Sequence, residues 1–167
     1  MARAVARRYG LAAADAVRAA WLHDAAREWP PAALEEILAR PLPAWLAAVC
    51  ESYRPWGGAL LHAPAAAAWA LTRGLCDDEP ILRAVAVHPT GAPGMSPLAQ
   101  TLFVADYCEP MRGFAGAALV RQALPGLTLA QAAARVAREK LARLAQGLRP
   151  IHPWAQAAPA AAGRGER

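Results

Sequence analysis

His88-Pro-Thr-Gly-Ala-Pro-Gly-Met-Ser96-Pro-Leu-Ala-Gln-Thr-Leu-Phe-Val-Ala-Asp106 reads as the end of one helix, a turn-rich loop and the start of another. Val85-Ala86-Val87 runs into His88, and two Pro and two Gly follow within seven residues, which breaks any regular element. Ser96 is an N-cap type and Pro97 suits the first helical position, where its missing N–H costs nothing. The helix that follows carries Leu98, Leu102, Val104 and Asp106, and Pro110 stops it.

The same punctuation recurs in both directions. Upstream, Asp77 or Asp78 can cap a helix with Pro80 in its first turn that runs to His88. The alanine-rich run His62 to Arg73 ends at Gly74, and a helix over Pro43 to Ser52 is closed by Pro55, Gly57 and Gly58. Pro30 and Pro31 end a helix over Ala12 to Arg27, which holds Val17, Ala20, Trp21 and Asp24 at helical spacing, and they pre-set the next, Ala32 to Ala39. Met1 to Tyr9 reads as the back end of a helix stopped by Gly10. Downstream, Thr128 and Gln131 form a capping box for a long helix with Leu129, Val136, Leu141, Leu144 and Leu148 broadly on one face. Gln156 to Arg167 is Ala/Gly/Pro-rich and expected to be disordered. With 46 alanines in 167 residues and few β-branched side chains, the chain is expected to be an all-α bundle with short loops, a single domain over residues 1–153 and a tail over 154–167. The alanine excess itself reads as background.

Charge and cysteine usage narrow the class. The net charge of +5 comes with arginines scattered from Arg3 to Arg167 in no run longer than two, so a solvated surface is expected and no nucleic-acid partner. Cys50, Cys76 and Cys108 are odd in number and widely spaced, which suits free thiols in a reducing cytoplasm. The longest uncharged stretch, Pro55 to Thr72, holds His62, Pro64 and a Gly pair, so no membrane span is expected; the N-terminus lacks an uninterrupted apolar core before Asp15, so no secretory signal is expected either.

The chemistry concentrates on few residues. Among four histidines, His23 is followed by Asp24 on an otherwise apolar helix, His62 lies between Leu60-Leu61 and Ala63-Pro64, and His88 ends an apolar helix. Asp106 sits inside Leu102-Phe103-Val104-Ala105, where a lone buried carboxylate is costly. Taken singly, each histidine reads as a cap or core residue and each Asp as half of an ion pair. Together they form a set of imidazole and carboxylate donors suited to Fe, Mn, Zn or a similar divalent ion.

Leu22-His23-Asp24, then His62, His88 and Asp106, resembles the pattern of the HD-domain metal phosphohydrolases. Leu60-Leu-His-Ala-Pro64, His88-Pro-Thr-Gly-Ala-Pro-Gly-Met95, Val104-Ala-Asp-Tyr-Cys-Glu-Pro-Met-Arg112 and Pro150-Ile-His-Pro153 are similar to the YqeK-type HD proteins, bacterial symmetrical dinucleoside tetraphosphatases. The resemblance implies an all-helical HD fold, iron or a similar divalent metal (Mn among them), and cleavage of diadenosine tetraphosphate into two ADP by metal-activated hydroxide. It implies His23, Asp24 and Asp106 as ligands of the core metal, His62 and His88 completing a second position, and Asp24 as the bridge. The loop Pro89 to Gly94, with Thr90 and Gly91, would lie beside the nucleotide and offer backbone N–H groups to phosphate, and Arg112 would contact phosphate unless it forms a surface salt bridge to Glu109. A dinucleoside polyphosphate is the implied partner, and a homodimer is compatible.

Three departures from the family pattern stand out. The family's first metal-ligand histidine falls about six residues ahead of Met1, so the chain is expected to begin within its first helix. Arg27, which the resemblance makes a catalytic candidate with Asp24, stands where the family has a Lys, keeping the charge but not equivalent as a proton donor or point-charge contact. Pro89 and Ala92 stand where the family carries Thr and Arg. The same residues also fit an HD phosphohydrolase of other specificity, or a degenerate HD module that binds nucleotide without turnover.

Overall fold

The computed structural model describes residues 1–147 and 150–161, and among them every regular element is helical. In chain order these are α1 (Ala2–Arg8), α2 (Ala13–Leu22), α3 (Pro31–Leu38), α4 (Ala44–Tyr53), α5 (Gly58–Thr72), α6 (Glu79–Val87), α7 (Pro97–Tyr107), α8 (Ala115–Ala123), α9 (Leu129–Gln146) and α10 (Pro153–Ala161). Tight 3-10 turns at Arg54–Trp56 and Leu124–Gly126 follow α4 and α8.

The capping signals place the helix starts. Asp78 accepts from Ile81 N–H, Ser96 from Ala99 N–H, and Thr128 and Gln131 close a reciprocal capping box. Three expectations need correction. The α2 helix stops at Leu22, because the chain tightens into successive i→i−3 bonds from Ala25, Arg27 and Trp29 to Leu22, Asp24 and Ala26, which turns residues 23–28 off the helix axis. The α5 helix begins at Gly58 and runs through Pro64, whose missing N–H leaves the Leu60 carbonyl without its usual donor. The tail is helical over Pro153–Ala161: the apolar side chains of Ala155 and Ala158 are buried and Trp154 packs on Tyr53, so this segment has enough apolar contact to offset its ordering. Residues 162–167 of the expected disordered tail lie outside the described residues. The α8 helix has no capping side chain, which is why the sequence carries no sign of its start.

Two apolar clusters form the core. One joins Leu34, Leu46, Tyr53, Ile81 and Leu82 around α5; the other joins Val5, Phe103, Val120 and Val136 around α7. Ala20, Met95 and Leu98 pack against both. The central helix α5 buries nine of its fifteen residues, and Ala63, Ala65, Ala66, Ala67, Ala68 and Ala70 have no exposed surface at all. The alanines are therefore structural: a small side chain on every face lets α2, α3, α4 and α6 approach this helix from several sides. That close approach brings the C-terminal ends of α2, α6 and α7 and the first half of α5 to one place.

Candidate metal centre

His23 directly follows α2, His62 lies on α5, His88 directly follows α6 and Asp106 lies on α7. Each imidazole is oriented by its own helix. The Nδ1 of His23 is 2.7 Å from the Ala20 carbonyl, that of His62 3.2 Å from Gly58, and that of His88 2.8 Å from Val85. A carbonyl can only accept, so each ring donates from Nδ1–H, and its Nε2 lone pair points away from the backbone.

All three Nε2 atoms point at Asp24. They lie 3.5 Å (His23), 3.4 Å (His62) and 3.4 Å (His88) from its carboxylate oxygens, and His23 Nε2 is also 3.7 Å from Asp106 Oδ1. The rings are packed edge to face, with His88 centroids 4.9 Å from His23 and 5.3 Å from His62. His62 Nε2 is buried and makes no hydrogen bond among the described residues. Lone pairs facing carboxylate oxygens, with one buried nitrogen left without a partner, are the signature of donors arranged around a cation. Ligand atoms of His23, Asp24 and His88 fall within 4.8 Å of one another, so the residues present fit a divalent metal.

Electrostatics agrees. Burial opposes ionisation of Asp24, but His62, His88 and His23 outweigh it through the positive charge that a proton on Nε2, or a cation held in its place, sets beside the carboxylate, and this holds the carboxyl well below the usual range. Asp106 is lowered too, burial being outweighed by His23, Lys140, His88 and Arg112. Burial pushes His88 down to about 4, against the pull of Asp24, so this ring is neutral at pH 7 with its lone pair free. For His23 burial is outweighed by Asp106 and Asp24, and its pKa is raised.

The neighbouring residues divide clearly. Arg27 forks onto Asp24, with Nη1 3.2 and 3.0 Å from the two oxygens, while half of its side chain stays in solvent. Arg112 pairs with Asp106 rather than with Glu109, whose carboxylate instead accepts from the Met111 N–H. The loop differs from expectation. The Gly91 N–H is not open to phosphate, because it closes the end of α6 by donating to the Val87 carbonyl at 2.8 Å. Thr90 is buried, accepting from the Tyr53 hydroxyl at 2.5 Å and donating to the Gly91 carbonyl at 2.7 Å, so its side chain is not open to phosphate either.

Sequence reasoning missed Lys140. From the middle of α9 its ammonium donates to the carbonyls of His88 (3.3 Å) and Pro89 (3.2 Å), sits 3.7 Å from Asp106 Oδ2 and lies over the Phe103 ring at 4.2 Å. Burial lowers its pKa, with Asp106 opposing. Its one visible signal was being the only lysine in a chain with 18 Lys and Arg.

A family model described as the HD domain matches residues 1–111. The chain belongs to the HD-domain family. A symmetrical bis(5'-nucleosyl)-tetraphosphatase from Bacillus subtilis is 34% identical over 150 residues, 89% of this chain and 76% of that protein. One of the same name from Halalkalibacterium halodurans is 44% identical over 66 residues, 40% of this chain and 35% of the relative. The crystal structure of an HD superfamily hydrolase from Clostridium acetobutylicum, described as involved in NAD metabolism, superposes with a TM-score of 0.81 at 27% identity, covering 99% of this chain and 84% of that one. The HD resemblance read from the sequence is borne out, and with it the all-helical HD fold of the domain.

Proposed function

We propose that this HD-domain protein is a metal-dependent phosphohydrolase that cleaves diadenosine tetraphosphate at its centre to give two ADP. The observation that carries the reading is the convergence of three imidazole Nε2 atoms on Asp24, and the two tetraphosphatase relatives supply the substrate class. His23, Asp24, His62, His88 and Asp106 would hold the metal, for which we favour iron, with manganese an accepted substitute. When bound, a divalent metal supplies Lewis-acid polarisation of phosphoryl oxygen and brings the pKa of water toward neutrality.

The chain's own residues set the rest. Asp24, with histidines facing both of its oxygens, would be the carboxylate that these imidazoles share around bound metal. Arg27 holds that carboxylate in place through its fork, which leaves the outer face of the guanidinium for substrate. Arg112 stands between Asp106 and solvent, where a planar guanidinium can pair with phosphate oxygens as charge builds on the bridging oxygen of the departing ADP. In the overall step, water adds to the second phosphorus, the central P–O–P bond breaks, and the leaving phosphate takes the proton.

Three free, buried thiols suit a reducing cytoplasm, where we place the protein. None of the helices among the described residues is long and apolar enough to cross a membrane. The test is product analysis. Purified protein loaded with iron or manganese should yield ADP as the sole product from diadenosine tetraphosphate, whereas AMP plus ATP, or no turnover, would overturn the reading.

A further inference from the structure

Two carbonyls at the end of α6 have no partner in their own stretch of chain. The Gly91 N–H donates to Val87, but no backbone N–H among the described residues reaches the carbonyls of His88 or Pro89. One belongs to the residue that turns an imidazole toward Asp24, the other to the residue directly after it. Their donor comes from another helix. The Lys140 ammonium on α9 reaches both, at 3.3 and 3.2 Å, and so caps the C-terminal end of α6 from outside.

The ammonium is held from its other side as well. It sits 3.7 Å from Asp106 Oδ2 and lies over the Phe103 ring at 4.2 Å, and Phe103 and Asp106 are one turn apart on α7. Arg112 and His23 face Asp106 Oδ1, so Lys140 takes the other oxygen. An ammonium has three N–H groups, and here two carbonyls and one carboxylate oxygen surround it. A single side chain thus ties the end of α6 to the end of α7, at the points where these helices bear His88 and Asp106.

Two effects on a bound metal follow, and they have opposite signs. A positive charge this close to Asp106 repels a divalent cation, so on charge alone its removal would tighten metal binding. As a brace it fixes the His88 turn relative to the Asp106 carboxylate, so its removal would weaken metal binding. The charge is already matched by Asp106, whereas nothing else among the described residues replaces the two hydrogen bonds to the turn. The brace therefore dominates. We infer that Lys140 is a positioning residue of the metal centre, which holds His88 and Asp106 at the spacing that takes the cation. This rests on the metal-dependent reading of the site.

Manganese calorimetry on the purified full chain tests it. Lys140→Met lacks both the donors and the charge and should bind manganese at least about tenfold more weakly than the parent. Lys140→Gln, uncharged and one bond shorter, should shift the affinity in the same direction, and it carries the test if the first variant folds poorly. Val136→Ala is the control: this fully buried residue lies one turn earlier on α9, so its loss costs stability and leaves the contacts of Lys140 in place. It should bind manganese as the parent does. Affinity in the Lys140 variants equal to or tighter than the parent's, or an equal loss in Val136→Ala, would overturn the role of Lys140 alone. A parent that binds no manganese would overturn it together with the metal-dependent reading.

Discussion

At Asp24 one carboxylate faces the Nε2 atoms of three histidines and the fork of Arg27. Removing it leaves three converging lone pairs with no anion among them. We expect Asp24→Ala to lose bound metal, read by elemental analysis of the purified protein; metal at the parent's level would refute the bridging role. Lys140 offers a different test, since it touches backbone and carboxylate but none of the imidazole rings. Lys140→Met keeps the methylene packing on Phe103 and strips the donors from the His88 and Pro89 carbonyls and the cation beside Asp106. A loss of about 2 kcal/mol is expected, lowering Tm by about 4–8 °C in thermal unfolding. An unchanged Tm would mean that water replaces the ammonium without cost. The contrast explains what was legible at this scale. His23-Asp24, His62, His88 and Asp106 stand out because polar groups in apolar runs are anomalous, whereas a lysine on an amphipathic helix is not.

The α2 and α6 helices end directly before His23 and His88, so each presents its imidazole from a helix terminus. The α6 helix is the clearest case: it delivers His88 and is then closed by Gly91, which lies at φ +68°, a region that L side chains rarely adopt, and donates to Val87. A Cβ there would also meet the Met95 side chain at 3.2 Å and Ala158 at 3.4 Å. Gly91→Ala should therefore cost about 1–2 kcal/mol, measured by urea denaturation, and more than Gly94→Ala, where the φ is equally positive but the space is open. Capping chemistry placed the starts of α6, α7 and α9 in the sequence. It could not place α8, which has no capping side chain, nor the end of α2, where tertiary contacts of His23 and Asp24 win over helical periodicity.

Over the whole molecule, stability depends on small side chains packed without gaps, and on thiols that stay protonated within that packing. Burial pushes Cys50 up to about 11, with Arg54 opposing, while an unfolded thiol titrates near its ordinary value of 9.0. Between these values the unfolded chain releases a proton that the native chain retains, so stability falls as pH rises. A loss on the order of 2 kcal/mol by pH 11 is expected from this one group, and Cys50→Ala should flatten the alkaline limb of a Tm-against-pH curve. An identical slope in the variant would rule the thiol out as its origin.

The sequence by itself determined the helical class and most helix starts, and it singled out His23, Asp24, His62, His88 and Asp106 as anomalous polar groups in apolar runs. These follow from rules that act within a few residues: caps, proline and glycine constraints, and the cost of polar groups in apolar runs. Only the tertiary structure decided that four helices meet at Asp24, that Lys140 reaches the site from α9, and that the Gly91 N–H closes a helix and is not open to phosphate. Those outcomes depend on contacts between residues up to about a hundred positions apart, Ser52 with His152 among them. Nothing in the local chain encodes such a pairing; it is settled when alanine-lined helices find the packing that leaves the fewest voids.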